Sequence, residues 1–596
     1  MLQKWTVAIV RVSGLPLFAI ADKIHSVPNV SEPTEKLVNV QIDGEWLQFP
    51  KGTRMIEACR QAGREVPHYC YHPKLTSPGN CRMCLVEMGM PPRPAPGQEV
   101  ELDTDGHARI QWIPRPAIAC ANTVAEGMGI RTSGKLTEEC RKGVMEFLLI
   151  NHPLDCPICD QAGECRLQEF SVEHGSGASR FVEQKVKKPK NVRIGPRITL
   201  DDERCILCSR CIRFCQEVVE DDVLGFLDRG SHTVLTTHPD KELANNYSLN
   251  TADICPVGAL TSTDFRFQMR VWFLKEIQSI DTNCGTGCNI FVHGRENKIY
   301  RITPRENNEV NSCWMPDSHR LNFHYVDSAE RLTDPMIKDG RSHRVVEWKD
   351  AILSAAGSIG ELEPGEVAII ASARLTNEDL FMVGRLAAKI GTDKIDIVPR
   401  MGKGDGLLIA SDRNANTNGA RTVLGIKAGD TIGAIRDGVR EGSIKGLLVF
   451  GEDLLEAGFD AESLKDLSVL VSSHVLANPM ADLSHVVFPA ACPFEKRGSM
   501  INILGRLQRL NRAVEAPWQA LEDWEIARDL LQALGGGNGV YAIEDVFKLM
   551  TAEVAEFAGL SLSRIGDLGV PLIKTRAKIP LLEKEAERQA KGLIVG

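Results

Sequence analysis

The chain has 596 residues, 43% of them hydrophobic and 25% charged, and its 70 Lys and Arg against 79 Asp and Glu leave a net charge of −9. That balance is ordinary for a soluble globular chain and excludes disordered, collagenous and coiled-coil proteins. A mildly acidic chain suits sequence-independent nucleic-acid binding poorly, and no stretch reaches the roughly 18 uncharged apolar residues of a membrane helix.

Residues 1–35 form a mildly basic extension with no acid before Asp22, too poor in Arg and Ser for a transit peptide and without an A-x-A cleavage site. The stretch 36–50 turns at Asp43-Gly44, a β-hairpin signature, and Thr53 is placed to cap a helix running to Gly63. A hairpin, a helix and a cysteine-rich loop make a β-grasp-like unit. The proline-rich run Pro91 to Gly97 reads as a solvated loop, and Thr137 to Ile150 as an amphipathic helix leading into His152. A basic linker follows from Val186 to Arg197, then a second cysteine-dense unit. Asn289 to Pro304 reads as another hairpin, with its turn near Glu296-Asn297.

Beyond residue 350 apolar strands alternate with helices. The strand-like runs are Glu366–Ser372, Lys394–Val398, Gly446–Phe450, Ser468–Ser472 and His485–Phe488; the helix-like runs are Asn377–Ile390, Thr431–Glu441 and Leu521–Leu534. This alternation predicts a parallel, doubly wound sheet. The last fifty residues read as a helical or partly disordered tail. The expected divisions are an extension (1–35), a first cysteine-rich domain (36–135), a His-Cys domain with linker (136–197) and a second cysteine-dense domain (198–265). A small β-rich domain (266–325), an α/β domain (326–540) and the tail (541–596) complete them.

The domain chemistry rests on the cysteines. Seventeen of the eighteen fall between Cys59 and Cys313, in C-x2-C clusters that favour metal over disulfides. Cys70, Cys81, Cys84 and Cys120 are spaced C-x10-C-x2-C-x35-C. Iron bound to sulfide needs thiolates, and four of them hold a [2Fe–2S] rhomb; a structural zinc site is the plainer alternative. The Pro78-Gly79-Asn80 turn lets backbone N–H groups approach the sulfurs, and His68 and His72 stand beside Cys70 as neighbours rather than ligands. His152, Cys156, Cys159 and Cys165 are spaced H-x3-C-x2-C-x5-C, and His152 is the nearest fourth donor for three cysteines.

Cys205, Cys208, Cys211 and Cys215 follow the bacterial [4Fe–4S] pattern, whose last cysteine precedes proline. Here Gln216 follows Cys215, whereas Pro256 follows Cys255, so Cys205, Cys208, Cys211 and Cys255 form the expected set. Cys215 is then a small core residue, as are Cys59, Cys140 and Cys492. Cys284, Cys288 and Cys313 lack a fourth thiolate, because Asp281 stands where one is needed. A hard carboxylate suits iron–sulfur chemistry badly, so this set reads as a remnant rather than a further [4Fe–4S] site.

The runs HYCYHPKLTSPGNCRMCLVEM, GVMEFLLINHPLDCPICDQAGECRLQ and CILCSRCIRFCQE resemble the large iron–sulfur subunit of respiratory complex I, the 75-kDa subunit of mitochondria. The resemblance covers about residues 37–325 and continues more weakly to about 530, where His485 to Gln508 looks like part of a molybdopterin-oxidoreductase domain. It implies α+β iron–sulfur domains followed by an α/β domain without pterin. It also implies one [2Fe–2S] cluster on the first set, a [4Fe–4S] cluster on His plus three Cys, and a [4Fe–4S] cluster on four Cys. Some bacterial members have an additional cluster where Cys284, Cys288 and Cys313 lie; Asp281 departs from that pattern.

The expected function is electron transfer within NADH:quinone oxidoreductase, from a flavoprotein partner through other iron–sulfur subunits toward quinone. The chain itself has no nicotinamide fingerprint: Met401 to Leu408 carries G-x-G-x-G only. The implied location is peripheral, on the cytoplasmic side of a bacterial inner membrane. The rival reading is an NAD-linked formate dehydrogenase or other molybdopterin enzyme, but no cysteine lies between Cys313 and Cys492 to bind molybdenum.

Overall fold

The structure is a computed structural model and describes residues 36–93, 100–104, 106–537 and 539–595. The N-terminal extension and most of the proline-rich run lie outside the described residues.

The first hairpin pairs Leu37–Ile42 with Glu45–Pro50. Asp43 and Gly44 both take positive φ, at 48° and 93°, as the tight turn demands. Leu37–Ile42 also pairs in parallel with Met128–Arg131, which pairs antiparallel with Leu85–Met90. This small mixed sheet buries Val38, Val40 and Ile42 against Met55, Ile56 and Cys59 of the helix Met55–Gln61. The helix starts later than its sequence suggests. Arg54 occupies the cap position without a side-chain cap, because the Thr53 hydroxyl donates instead to Pro50 O at 2.8 Å.

The helix Lys135–Leu149 buries Thr137, Arg141 and Met145 along one stripe, at the four-residue spacing of an amphipathic helix. Cys140 on this helix is only half-buried, so it is not the core residue expected from its helical setting. A three-stranded antiparallel sheet, Lys275–Ile280, Asn289–Arg295 and Lys298–Pro304, follows the second cysteine-dense unit.

The C-terminal half is built on a seven-stranded sheet. Its order is Ser342–Val345, Met336–Asp339, Val486–Pro489, Val469–His474, Gly446–Phe450, Val367–Ala371 and Ile395–Ile397. The last five are parallel and the first two antiparallel. Gly446–Phe450 is buried throughout, as a strand covered on both faces must be. The helix Asn377–Ile390 begins where the Thr376 hydroxyl accepts from Asp379 N–H at 3.1 Å, and ends at Gly391 with φ 83°.

The tail is ordered rather than loose. Val546, Phe547 and Met550 of the helix Ile543–Glu553 enter the core of the α/β half, and Val570–Pro571 pairs with Arg506–Leu510. The helix Pro580–Ala590 then returns to the cysteine-rich half, burying Leu581 and Glu585. Among the described residues no helix is long and apolar enough to cross a membrane.

Candidate metal centres

The first set lies on the loop between the helix Met55–Gln61 and the strand Leu85–Met90, with Cys120 just after the strand Ala117–Ile118. Cys70 lies within hydrogen-bonding reach of Cys81 and Cys120, and Cys120 of Cys84. The Cys70 N–H donates to Cys81 Sγ at 3.4 Å. Neighbouring sulfurs and burial push Cys120 up to about 11 and raise Cys70 and Cys81. Thiols this close resist becoming thiolates together unless a cation lies among them, which is the environment an iron centre provides.

In the second set, Cys156 opens a short turn and Cys165 stands at the N-terminus of the helix Arg166–His174. Leu154 takes a left-handed φ of 54° between His152 and Cys156. Burial raises Cys165, and Cys159 and Cys156 lie close enough to add to the rise. No hydrogen bond joins His152 to these cysteines; its charged neighbours are Asp155, Arg204, Lys185 and Lys190. Burial lowers its imidazole to about 4, so it is neutral and keeps the lone pair a ligand needs.

The third set is drawn together from two stretches. Leu207 and Ser209, at φ 55° and 61°, wrap the chain between Cys205 and Cys211, and Cys255 follows the helix Asn250–Asp253. Burial raises all four thiols, Cys255 to about 11, and the Cys208 sulfur adds to the rise of Cys205, Cys211 and Cys255. Leu207 N–H donates to Cys205 Sγ at 3.4 Å, and backbone N–H groups of Val257, Ala259 and Leu260 face Cys255. Cys215 is fully buried beside Phe214 and Val218, and burial pushes it to about 12. Cys59 and Cys492 are likewise fully buried.

The incomplete fourth set is occupied by other interactions. Asp281 is buried and its carboxylate meets His319 Nδ1 at 2.7 Å and Asn283 Nδ2 at 2.6 Å. The imidazole holds that carboxyl below its usual range against the opposing effect of burial. Leu407 and Leu408, from the glycine-rich loop, pack in the same core as Cys288. Cys313 has Glu585 and Lys74 as its charged neighbours. His319 carries no cysteine signature in sequence, and only its place beside Asp281 in the folded chain, 38 residues away along it, reveals its role.

The three complete sets meet. Tyr69, Met83, Met145, Leu167, Phe170, Val257 and Ala259 form one apolar cluster, and Cys81, Cys165, Cys205 and Cys255 all pack against it. Cys165 Sγ donates to Pro256 O at 3.9 Å, and a Cβ on Gly258 would stand 2.4 Å from Cys159 Sγ. Among the described residues no three His, Cys, Asp or Glu side chains converge as a single-ion site.

Family models match along the chain in the same order. Residues 35–135 match a 2Fe-2S iron–sulfur cluster binding domain, and 141–180 an NADH-ubiquinone oxidoreductase-G iron–sulfur binding region. Residues 195–261 match the ferredoxin-like domain of NADH-quinone oxidoreductase subunit 3, 274–324 an NDSU1/NuoG-like 4Fe-4S domain, and 401–533 a molybdopterin oxidoreductase. Among curated proteins, an NADH-quinone oxidoreductase subunit of Rickettsia felis is 37% identical over 361 residues, 61% of this chain and 50% of that one. The mitochondrial NADH dehydrogenase [ubiquinone] iron–sulfur protein 1 of Solanum tuberosum is 39% identical over 363 residues, 61% of this chain and 46% of that one. A solved chain of an NAD+-reducing [NiFe]-hydrogenase in the H2-reduced state is 28% identical, covering 39% of this chain and 91% of that one with a TM-score of 0.32. The chain spans about half the length of the curated relatives it matches.

Fold and cysteine sets define the class: a protein of [2Fe–2S] and [4Fe–4S] domains joined to a molybdopterin-oxidoreductase-like α/β domain. Within that class the zinc alternative for the first set falls away, since the matching model is a 2Fe-2S domain. Over 61% of its length the chain is similar to iron–sulfur subunits of NADH-quinone oxidoreductase, and three of its five matching models describe domains of that same subunit.

Proposed function

We propose that this chain passes single electrons within an NADH:quinone oxidoreductase, from a flavoprotein partner toward quinone. The observation that carries the reading is the shared apolar cluster, against which a cysteine from each of the three complete sets packs. In this reading Cys70, Cys81, Cys84 and Cys120 hold the [2Fe–2S] cluster. His152, Cys156, Cys159 and Cys165 hold one [4Fe–4S] cluster, and Cys205, Cys208, Cys211 and Cys255 the other. The clusters supply reversible one-electron redox at iron.

The chain's own residues fix and insulate those centres. Tyr69, Met145 and Phe170 exclude water between the sets, and the Tyr69 hydroxyl is satisfied by Met145 Sδ at 3.3 Å. Backbone N–H groups facing Cys81, Cys205 and Cys255 stabilise the thiolate state. Cys284, Cys288 and Cys313 are a remnant, since His319 and Asn283 engage the carboxylate that stands in the fourth position. The α/β half acts as a scaffold without pterin. The chain works in a hetero-oligomer with the NADH-binding flavoprotein and other iron–sulfur subunits, peripheral to the cytoplasmic face of the inner membrane. Divisions at 36–135, 136–197, 198–265, 266–325 and 326–540 follow the elements each set requires.

The grouping is tested by electron paramagnetic resonance on Cys81→Ala in the full chain. Loss of the [2Fe–2S] signal alone is expected, and loss of a [4Fe–4S] signal in a folded chain overturns the grouping.

A further inference from the structure

Arg210 and Arg213 lie one helical turn apart in the helix Arg210–Phe214, inside the cysteine run of the third set. Arg213 is 8% exposed. Its guanidinium donates to Cys70 O at 2.5 Å and to Thr76 O, and its Nε to Ser209 Oγ at 3.2 Å. Arg210 donates to Ile254 O at 3.1 Å and to Tyr71 O, while its Nε has no partner. Every acceptor is a neutral carbonyl or hydroxyl. Among the described residues neither guanidinium lies within 4.0 Å of a carboxylate oxygen. The acid acting most on Arg213 is Glu217, which is itself engaged by Thr76 and Arg588.

Two like charges held this close and largely out of water are costly unless something anionic faces them. Besides Glu217 on Arg213, the groups that offset the burial of both guanidinia are the sulfurs of Cys208 and Cys70, with Cys255 acting on Arg210 and Cys211 on Arg213. The carbonyls they hold belong to the same two stretches: Cys70, Tyr71 and Thr76 on one side, Ile254 beside Cys255 on the other. The arginine near the second set is different. Arg204 is paired with Asp155 at 2.7 Å and Asp201 at 3.3 Å, which cancels its charge locally.

We propose that Arg210 and Arg213 are the shared counter-charge of the first and third clusters, raising both reduction potentials together and leaving the second out. The inference rests on the ligand sets proposed above. Reduction adds one negative charge to a cluster, and a fixed cation beside it stabilises the reduced form, so the sign is upward.

The test is a potentiometric titration of the full chain followed by electron paramagnetic resonance, with spin counting, in the parent, Arg213→Gln and Arg213→Lys. In Arg213→Gln the reduced-to-oxidised ratio at fixed ambient potential is expected to fall about tenfold for the [2Fe–2S] and third-set signals, equal to about 59 mV for one electron. The second-set signal is expected to hold its position, and Arg213→Lys, which keeps the charge but not the fork, to stay near the parent. Full spin counts with unmoved potentials, or an equal fall in all three signals, overturn the inference. If Arg213→Gln loses its clusters, Arg213→Lys decides: potentials near the parent support a charge effect, and a joint fall overturns it. A parent chain without a [2Fe–2S] signal would instead sink the proposed function.

Discussion

Glu585 Oε1 accepts the indole hydrogen of Trp314 at 2.9 Å, and Glu585 Oε2 stands 3.6 Å from Lys74 Nζ. One carboxylate near the C-terminus thus ties the loop of the first cysteine set to the residue after Cys313. The neighbouring contacts point the same way: Val595 N–H donates to Pro73 O at 2.9 Å, and Lys584 pairs with Glu220 at 2.9 Å.

Glu585→Ala leaves a buried ammonium without its partner and a buried indole N–H without an acceptor. Breaking a buried pair in this way costs about 3–5 kcal/mol. Calorimetry of the full chain is expected to show a lower melting midpoint for the cysteine-rich half, with Glu585→Gln intermediate because its amide oxygen still accepts from Trp314. An unmoved midpoint in Glu585→Ala would mean the helix Pro580–Ala590 is not a staple.

His152→Cys is expected to keep its cluster and lower its potential by on the order of 100 mV, because a thiolate adds negative charge where a neutral imidazole stood. The other two signals should stay in place. Redox titration with an intact cluster and no shift would remove His152 from the ligand set.

Glu378 supplies a pH dependence far from any cluster ligand. Its carboxylate accepts from Ser499 N–H and Oγ, both at 2.8 Å, yet burial raises it to about 7 from the usual 4.5. The folded chain therefore holds a proton that the unfolded chain releases. The stabilisation is full below about pH 4.5 and fades as pH rises through 7. It amounts to about 3 kcal/mol. Melting midpoints measured from pH 5 to 8 should fall more steeply in the parent than in Glu378→Gln. Parallel curves would show that Glu378 is not protonated in the folded state.

Much of this architecture is legible because it is local. Gly446–Phe450 and Asn377–Ile390 are found with the bounds their patterns predict, since a continuous apolar run and a capped amphipathic helix carry their own signals. Chelate spacing is equally local, which is why the C-x2-C groups and the proline after Cys255 point to the sets. What local pattern cannot carry is partnership across the chain. The helix Pro580–Ala590 is mostly polar, and its buried face is defined by Trp314 and Lys74, hundreds of residues earlier. Asp281 reads as a failed ligand until His319 is seen beside it. Thr53 looks like a cap, but a competing acceptor at Pro50 takes its hydroxyl. Arg210 and Arg213 did leave a sequence trace, two basic residues interleaved with cysteines at one-turn spacing, but their burial against the Cys70 loop is tertiary.

The most direct measurement of the central claim is a quantitative reductive titration of the purified full chain, with iron, labile sulfide, molybdenum and pterin assayed on the same sample. About ten iron atoms and about ten labile sulfides per chain are expected, with uptake of about three electrons in one-electron steps and neither pterin nor molybdenum. Stoichiometric pterin with molybdenum or tungsten, or a single metal ion in place of the [2Fe–2S] signal, would contradict it.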